Sequence, residues 1–278
     1  MRATAKRSAK EMLHAVNNSN AKAFREVALT RRSCPRFQPN TPICPSVLKD
    51  ILKTTLTTPS GFNLQPTQII LVTNPEIKSE LSKYAMLGRG NQFKVNDCSA
   101  LAVFLSDLLI HRRFNRIFEL EKQSGVRDAN YLAGLPIVTS FLTGEGHLAT
   151  LIKQVATSLM STVQPAPTID EVKVWSYKNT AMAAQTYTLA ACSHGLSTCM
   201  MEGYDSRRVS DILRLPPNDR YGIPVMVATG FEYQDVQDKS GPIKRTPRLG
   251  LEEVVFSDTF GSLIDNKVLC SEDVDHLV

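Results

Sequence analysis

The sequence predicts an α+β fold, in one large domain that carries an insertion. Apolar runs of strand length alternate with segments of helical spacing, and no strand is followed by Gly-x-Gly-x-x-Gly or by a Gly-Lys-Ser/Thr loop. That absence argues against a Rossmann or P-loop nucleotide site. Residues 180–191 lie in the second half of a long helix and are apolar or small on nearly all sides. We therefore expect this helix to be buried, either in the core or against another subunit.

The first half of the chain alternates helices with strands. Apolar residues recur at helical spacing over residues 8–30, where an Asn-rich stretch interrupts them, and again over 45–56. The apolar run 68–73 has the length of a strand, and Pro75 then opens a helix to residue 84, since proline fits the first helical turn. The run 100–105 is predicted as a second buried strand, and a basic helical stretch follows it through residue 116.

The second half is regular only towards its end. Residues 125–169 contain several glycines and prolines that break the pattern, although 147–160 has helical spacing that ends before the prolines from residue 165. A long helix is predicted from residue 170 to 194, because Gly195 supplies the usual stop. The runs 196–201 and 224–230 are predicted as two further strands.

Composition limits the function classes. The 278 residues are 42% hydrophobic and 21% charged, which is typical of a globular protein with a sizeable core. The formal net charge is +5, from 32 basic and 27 acidic residues, and the surplus is spread over separate parts of the chain. Nucleic-acid binding usually shows as a concentrated basic face, so we predict small anionic ligands and no nucleic acid.

Cysteine usage and the first residues bear on the compartment. The six cysteines form no Cys-x-x-Cys pair and no close cluster with histidine, which predicts reduced thiols and no metal site. No apolar run approaches membrane-spanning length. Residues 1–10 are basic, rich in Ser, Thr and Ala, and free of acids, as organellar transit peptides are. A mitochondrial location is therefore predicted, with a cytoplasmic one as the alternative.

Two short motifs near the start carry the chemistry. Arg31-Arg32-Ser33-Cys34-Pro35-Arg36-Phe37 brings three guanidiniums and a hydroxyl close together, and Pro59-Ser60-Gly61-Phe62-Asn63-Leu64-Gln65-Pro66 presents a hydroxyl and two amides. Guanidiniums bind phosphate oxygens, and amides hydrogen-bond the edges of heterocycles. Together the motifs predict a site for a phosphorylated aromatic cofactor. Taken singly, the first could be a solvated basic turn and the second a structural loop.

In their order along the chain, these motifs resemble those of the flavin-dependent nitroreductases. The first is similar to Arg-Arg-Ser-x-Arg-x-Phe with one residue extra, and the second to Pro-Ser-x-x-Asn-x-Gln-Pro. Met201-Glu202-Gly203-Tyr204-Asp205 resembles the Met-x-Gly-Phe-Asp loop of that family, and residues 224–230 and 248–255 complete the order. The likeness runs from about residue 24 to 255. The basic start and the enlarged 113–170 region look most like eukaryotic members, among them the kinetoplastid type I enzymes.

The resemblance implies a mixed sheet flanked by helices, and an obligate homodimer with the long helix at its interface and two FMN molecules. The phosphate and ribityl chain would be held by Arg31, Arg32, Ser33 and Arg248. Many relatives have a lysine where this chain has Thr246, so Arg245 or Lys244 would take over that contact. The flavin ring would be contacted by the segment that starts at Pro59, through Ser60, Asn63 and Gln65, with Ser60 and Asn63 coming from the partner subunit.

Four more residues complete the implied site. Asn91 and Gln92 match a weaker Asn-Gln segment that reaches the flavin in relatives. Glu202 and Gly203 would lie near the flavin N5 edge, with the Gly203 N–H as the donor to N5, although Glu202 could equally be a surface acid. Arg112, Arg113 and Arg116 could meet a dinucleotide phosphate, but solvent is the favoured surrounding.

The implied activity is the reduction of nitroaromatics and quinones by NADH or NADPH, in two-electron ping-pong transfer through flavin N5. No catalytic side chain is predicted, because the flavin carries the chemistry. The implied layout is a basic extension at 1–23, an FMN-binding domain at 24–257 and a tail at 258–278. Two alternatives stay open: an iodotyrosine-dehalogenase-like enzyme, for which residues 125–169 would form a lid, and a flavin-binding protein without catalysis.

Overall fold

The structure is a computed structural model, and it describes residues 19–128, 130–135, 147–216, 220–233 and 246–262. The helices are α1 Ser19–Thr30, α2 Pro45–Thr55, α3 Pro75–Tyr84, α4 Arg89–Asp97, α5 His111–Ser124, α6 His147–Ser161, α7 Val172–Ser193, α8 Ser206–Ile212 and α9 Leu251–Val254. The strands are β1 Thr67–Val72, β2 Ala100–Asp107, β3 Ser197–Met201 and β4 Tyr221–Gly230. A short 3₁₀ turn covers Gly61–Asn63.

The four strands form one sheet in the order β1-β2-β4-β3. Each neighbouring pair is antiparallel, with Ile69 opposite Phe104, Ala102 opposite Val227 and Cys199 opposite Ala228. A parallel bridge between Ser33 and Thr198 adds a further segment beside β3. From the strand order, β1 and β3 lie at opposite edges of this four-stranded sheet.

The core lies on both faces of this sheet. Side chains alternate along β2, so that Ala102 and Phe104 face α2 and α7, while Leu101 and Val103 face the side covered by α3, α4 and α8. Tyr187 of α7 is fully buried and meets Phe104 edge to face, with ring centroids 5.7 Å apart. The long helix is thus the main cover of one sheet face.

The predicted α+β class and the flanking of the sheet by helices are confirmed, and all four predicted strands are present within two residues at most ends. The sequence analysis missed α4 and α8, because Arg89–Asp97 is polar with few apolar positions and Ser206–Ile212 is very short. The long helix buries one face against the sheet, whereas its outer face leaves Met182 42% exposed.

The chain divides into two compact units, Met1–Gln234 and Asp235–Val278. In the second unit, α9 is followed by a contact between Phe256 and Phe260, whose ring centroids are 4.8 Å apart. Among the described residues, no helix combines the length and apolar character needed to cross a membrane. Residues 1–18, on which the mitochondrial prediction rests, lie outside the described residues, so that location stays a prediction.

Candidate functional site

The predicted phosphate motif continues the sheet at the β3 side. It begins where α1 ends, at Thr30, and runs as an extended segment whose Cys34 N–H donates to the Thr198 carbonyl at 2.8 Å. This pairing holds Arg31, Arg32 and Ser33 in line with β3. Their neighbours enclose a cleft of about 210 Å³, lined by Thr30, Arg31, Arg32, Cys192, Gly195, Leu196, Ser197, Thr198 and Glu232.

The three guanidiniums of the motif have different surroundings. Arg32 forms an ion pair with Glu232, and both side chains are about three-quarters buried. Arg36 stacks on the Tyr233 ring at 4.2 Å from its centroid. Arg31 lines the cleft and has no ion pair within the described part of the chain. Of the two guanidiniums that line the cleft, Arg32 is therefore ion-paired with a carboxylate, and Arg31 is not paired with any described one.

The Glu202–Gly203 segment follows the end of β3 and meets the α3–α4 connection. The Gly203 carbonyl accepts from Leu87 N at 2.9 Å and from Asn91 Nδ2 at 3.4 Å. A Cβ at position 203 would come within 2.5 Å of Asn91 Nδ2, so the missing side chain permits this approach. Among the described residues the Gly203 N–H has no acceptor, and Glu202 is exposed. The structure thus brings Asn91 and Gly203 together, as predicted for one site.

Gln92 has a less direct place. Its side-chain Nε2 donates to the Met86 carbonyl at 3.4 Å, and its backbone carbonyl accepts from the Ser82 hydroxyl at 2.8 Å. Lys94 lies one turn beyond Asn91 on the same face of α4, and the sequence analysis did not single it out.

The predicted ring-contact loop, Pro59–Pro66, has a strained backbone. Phe62, Asn63 and Gln65 have φ values of 52°, 54° and 46°, in the left-handed region that favours glycine. Residues in such conformations persist only where their surroundings enforce them, and they cluster at functional sites. Ser60 Oγ accepts from Gln65 N at 2.9 Å, which closes the loop on itself.

Helices α5 and α7 hold this loop in place. Asn179 Oδ1 of α7 accepts from Gly61 N at 3.0 Å, and Arg113 of α5 donates to the Gln65 carbonyl. Glu121, also on α5, accepts from Asn63 Nδ2 at 2.8 Å. The sequence analysis did not single out Asn179 or Glu121, and it assigned no such contact to Arg113, because all three side chains come from helices that adjoin the loop only in the fold.

Arg113 is joined to a buried acid at the end of β2. The Asp107 carboxylate accepts from Arg220 Nη2 at 2.8 Å, Arg220 Nε at 3.1 Å and Arg113 Nε at 3.1 Å. Burial tends to raise the pKa of the Asp107 carboxyl, but hydrogen bonds from Arg220 and Leu109 and the charges of both arginines hold it below its usual range. The prediction that Arg113 faces solvent was wrong, because its guanidinium forms an ion pair with Asp107 and donates to the Gln65 carbonyl.

The predicted site residues form two groups within one chain. Arg31, Arg32, Ser33, Glu202 and Gly203 lie along β3, with Met201 only three residues, or about 10 Å, beyond Thr198. The Pro59–Pro66 loop precedes β1, on the other side of the sheet. Three strand spacings, about 14 Å, separate β1 from β3. Within one chain, the two groups therefore lie at opposite edges of the sheet.

Two predicted phosphate contacts lie in the second unit or outside the described residues. Arg248 donates to the Pro247 carbonyl at 3.1 Å within its own segment. Arg245 and Lys244 are not among the described residues.

Glu232 was also missed from the sequence, since an acid next to the β4 end carries no motif. Within the described ranges, no three side chains of His, Cys, Asp or Glu gather into a metal-binding group.

Comparison with known proteins identifies the family of this chain. A family model described as "Nitroreductase family" matches residues 28–231. The chain is 26% identical over 210 residues to the Bacillus subtilis (strain 168) protein named "Putative NAD(P)H nitroreductase MhqN", a match that covers 75% of this chain and 88% of that protein.

Solved structures show the same fold. The ydfN structure from Bacillus subtilis superposes with a TM-score of 0.64 at 22% identity, covering 85% of this chain and 99% of that one. A structure from Exiguobacterium sibiricum 255-15, determined in complex with FMN, gives a TM-score of 0.61 at 19% identity and covers 84% of this chain and 95% of that one.

Proposed function

The chain belongs to the nitroreductase family, and from this premise we propose that it is an FMN-dependent NAD(P)H oxidoreductase that reduces nitroaromatics and quinones by two-electron ping-pong transfer. FMN with an NAD(P)H donor is the cofactor system of this family. When bound, FMN supplies the acceptance of hydride at N5 and its delivery to the second substrate. The chain's own residues have to bind the cofactor, orient it and leave one ring face open.

The observation that carries the proposal is the line of polar groups along β3. Arg31 and Arg32 line a cleft beside Thr198, and the Gly203 loop follows the same strand at its end. Phosphate needs positive charge and N–H donors, and the guanidiniums of Arg31 and Arg32 supply both at this end of the strand. The donor set therefore fits a phosphorylated cofactor laid along the strand. Glu232 is the acidic side chain among the described residues that line the cleft, and its charge opposes an anion.

At the other end of the line, the Gly203 N–H is the donor proposed for flavin N5, since it has no acceptor among the described residues. Asn91 adds an amide beside it, and Lys94 adds a cation on the same helix face. A nearby cation favours the anionic form that a flavin adopts on reduction. Glu202 is exposed at this edge and is proposed to contact the ring there.

A second copy of the chain is proposed to complete the site. The Pro59–Pro66 loop is separated from the β3 line in one chain, whereas a two-fold dimer could place the loop of one subunit beside the β3 line of the other. Apolar surface next to the loop supports this: Leu56 is 71% exposed, and Met182 on the outer face of α7 is 42% exposed. In that dimer, Ser60 and Asn63 would reach the flavin of the partner.

The test is the visible spectrum of the purified protein, followed through anaerobic addition of NADH and then of menadione or nitrofurazone. Flavin bands that bleach with NADH and return with the acceptor support the proposal. A protein that contains no flavin and takes up no added FMN contradicts it. Flavin that bleaches and is reoxidised by neither acceptor contradicts the proposed substrates and favours a flavin-binding protein without this catalysis.

A further inference from the structure

A buried carboxylate lies behind the proposed ring-contact loop. Glu121 is on α5, at the start of the enlarged region, and only 7% of its surface is exposed. Its Oε1 accepts from Asn63 Nδ2 at 2.8 Å, and its Oε2 lies 3.6 Å from Arg127 Nε. Because an ionised carboxylate can only accept hydrogen bonds, the Asn63 amide must turn its nitrogen towards Glu121.

The orientation of Asn63 fixes that of a second amide. With its nitrogen facing Glu121, Asn63 presents its Oδ1 to Gln65, and Gln65 Nε2 donates to that oxygen at 3.1 Å. Gln65 must therefore point its own carbonyl oxygen away from Asn63. Glu121, Asn63 and Gln65 form a relay with one direction, in which each group determines the polarity of the next.

We propose that Glu121 is a positioning residue, which sets the direction of the Asn63 and Gln65 amides and so decides which polar groups this loop presents to FMN. The inference rests on the proposed function, because it takes the loop to contact the flavin. Its physical basis is independent of that function, since the relay exists in the chain itself. A glutamine at position 121 has nearly the same shape but can donate as well as accept, so it no longer imposes a direction.

The first test is made without flavin. The side-chain amide signals of Asn63 and Gln65 are assigned by ¹H–¹⁵N NMR in selectively labelled protein, and then compared in Glu121→Gln. We expect both amides to change their chemical shifts, although of the two only Asn63 is hydrogen-bonded to residue 121. Signals from Gln65 that stay in place would overturn the relay. Glu119→Gln is the matched control, because Glu119 is an exposed acid on the same helix.

The second test measures the cofactor. We expect Glu121→Gln to weaken FMN binding about tenfold and to shift the visible flavin bands and the midpoint potential, whereas Glu119→Gln stays within twofold of wild type. A purely structural Glu121 would lower the melting temperature of the apoprotein and leave the spectrum and potential unchanged, which overturns the proposal. If the wild type takes up no FMN, the proposed function fails and the flavin part of this inference fails with it, while the NMR result still decides the relay.

Discussion

Arg32 and Glu232 form an ion pair inside the cleft that is proposed to receive the FMN phosphate. Both side chains are mostly buried, so the carboxylate occupies a guanidinium that a phosphate would otherwise bind. Any anion that enters the cleft must separate this pair or accept the nearby negative charge. Glu232 therefore competes with the phosphate for the Arg32 guanidinium.

Glu232→Gln should therefore bind FMN more tightly. The change removes one like charge and frees Arg32, and for a partly exposed pair this is worth about 1 kcal/mol, or about fivefold in Kd. Fluorescence titration of the apoprotein with FMN measures the effect. Riboflavin, which lacks the phosphate, is the control ligand and should bind both proteins equally. Unchanged or weaker binding of FMN would show that Glu232 does not oppose the phosphate.

The Asp107 cluster should give a stability contribution that depends on pH. Its folded-state pKa lies below the unfolded value of about 3.9, so the carboxylate stabilises the fold above that pH and loses this contribution as the pH falls through the folded-state pKa. Asp107→Asn should lower the free energy of unfolding by about 3 kcal/mol at pH 7, because two arginines lose their buried partner. Urea denaturation at a series of pH values measures the difference, which should shrink below about pH 4. A difference that is constant with pH would rule out the charge as its origin.

Gly222 should tolerate no side chain. A Cβ there would lie 2.3 Å from the Tyr177 hydroxyl and 2.3 Å from its Cε1, so the ring would have to move to make room. Gly222→Ala should destabilise the fold by about 2 kcal/mol through overpacking, and Tyr177→Ala should recover part of this loss. Thermal unfolding of the single and double variants provides the test. No recovery in the double variant would mean that Tyr177 is not the obstacle.

Met182→Glu should prevent dimer formation. It places a charge on the exposed outer face of α7, and burying that charge unpaired in an interface costs roughly 3–5 kcal/mol. Light scattering after size exclusion should find wild-type dimers and variant monomers. Ile77→Glu, on the opposite face of the sheet, is the control and should remain dimeric. If Met182→Glu also remains dimeric, the outer face of α7 is not the interface.

The sequence predicted the strands well, because buried strands read as short apolar runs such as 100–105, whose length is typical of a strand and too short for most helices. It predicted α7 from its length, its apolar and small residues and the stop at Gly195. The family motifs placed Asn91 and Gly203 in one site, and the structure shows that these two residues are in contact. It did not single out Glu121 or Glu232, and it placed Arg113 in solvent, because all three act on the candidate site from elements distant in sequence. Their charges look like ordinary surface charge until the fold places them beside Asn63, Gln65 and Arg32.

The bridge between Ser33 and Thr198 has a consequence for how the protein avoids aggregation. An uncovered β3 would present unpaired N–H and carbonyl groups, a template for strands of other molecules. The Arg31–Phe37 segment pairs with those groups through Cys34 and Thr198. The segment proposed to hold phosphate therefore also covers the edge of β3. Substitutions that detach this segment should reduce the solubility of the protein even where no cofactor is present.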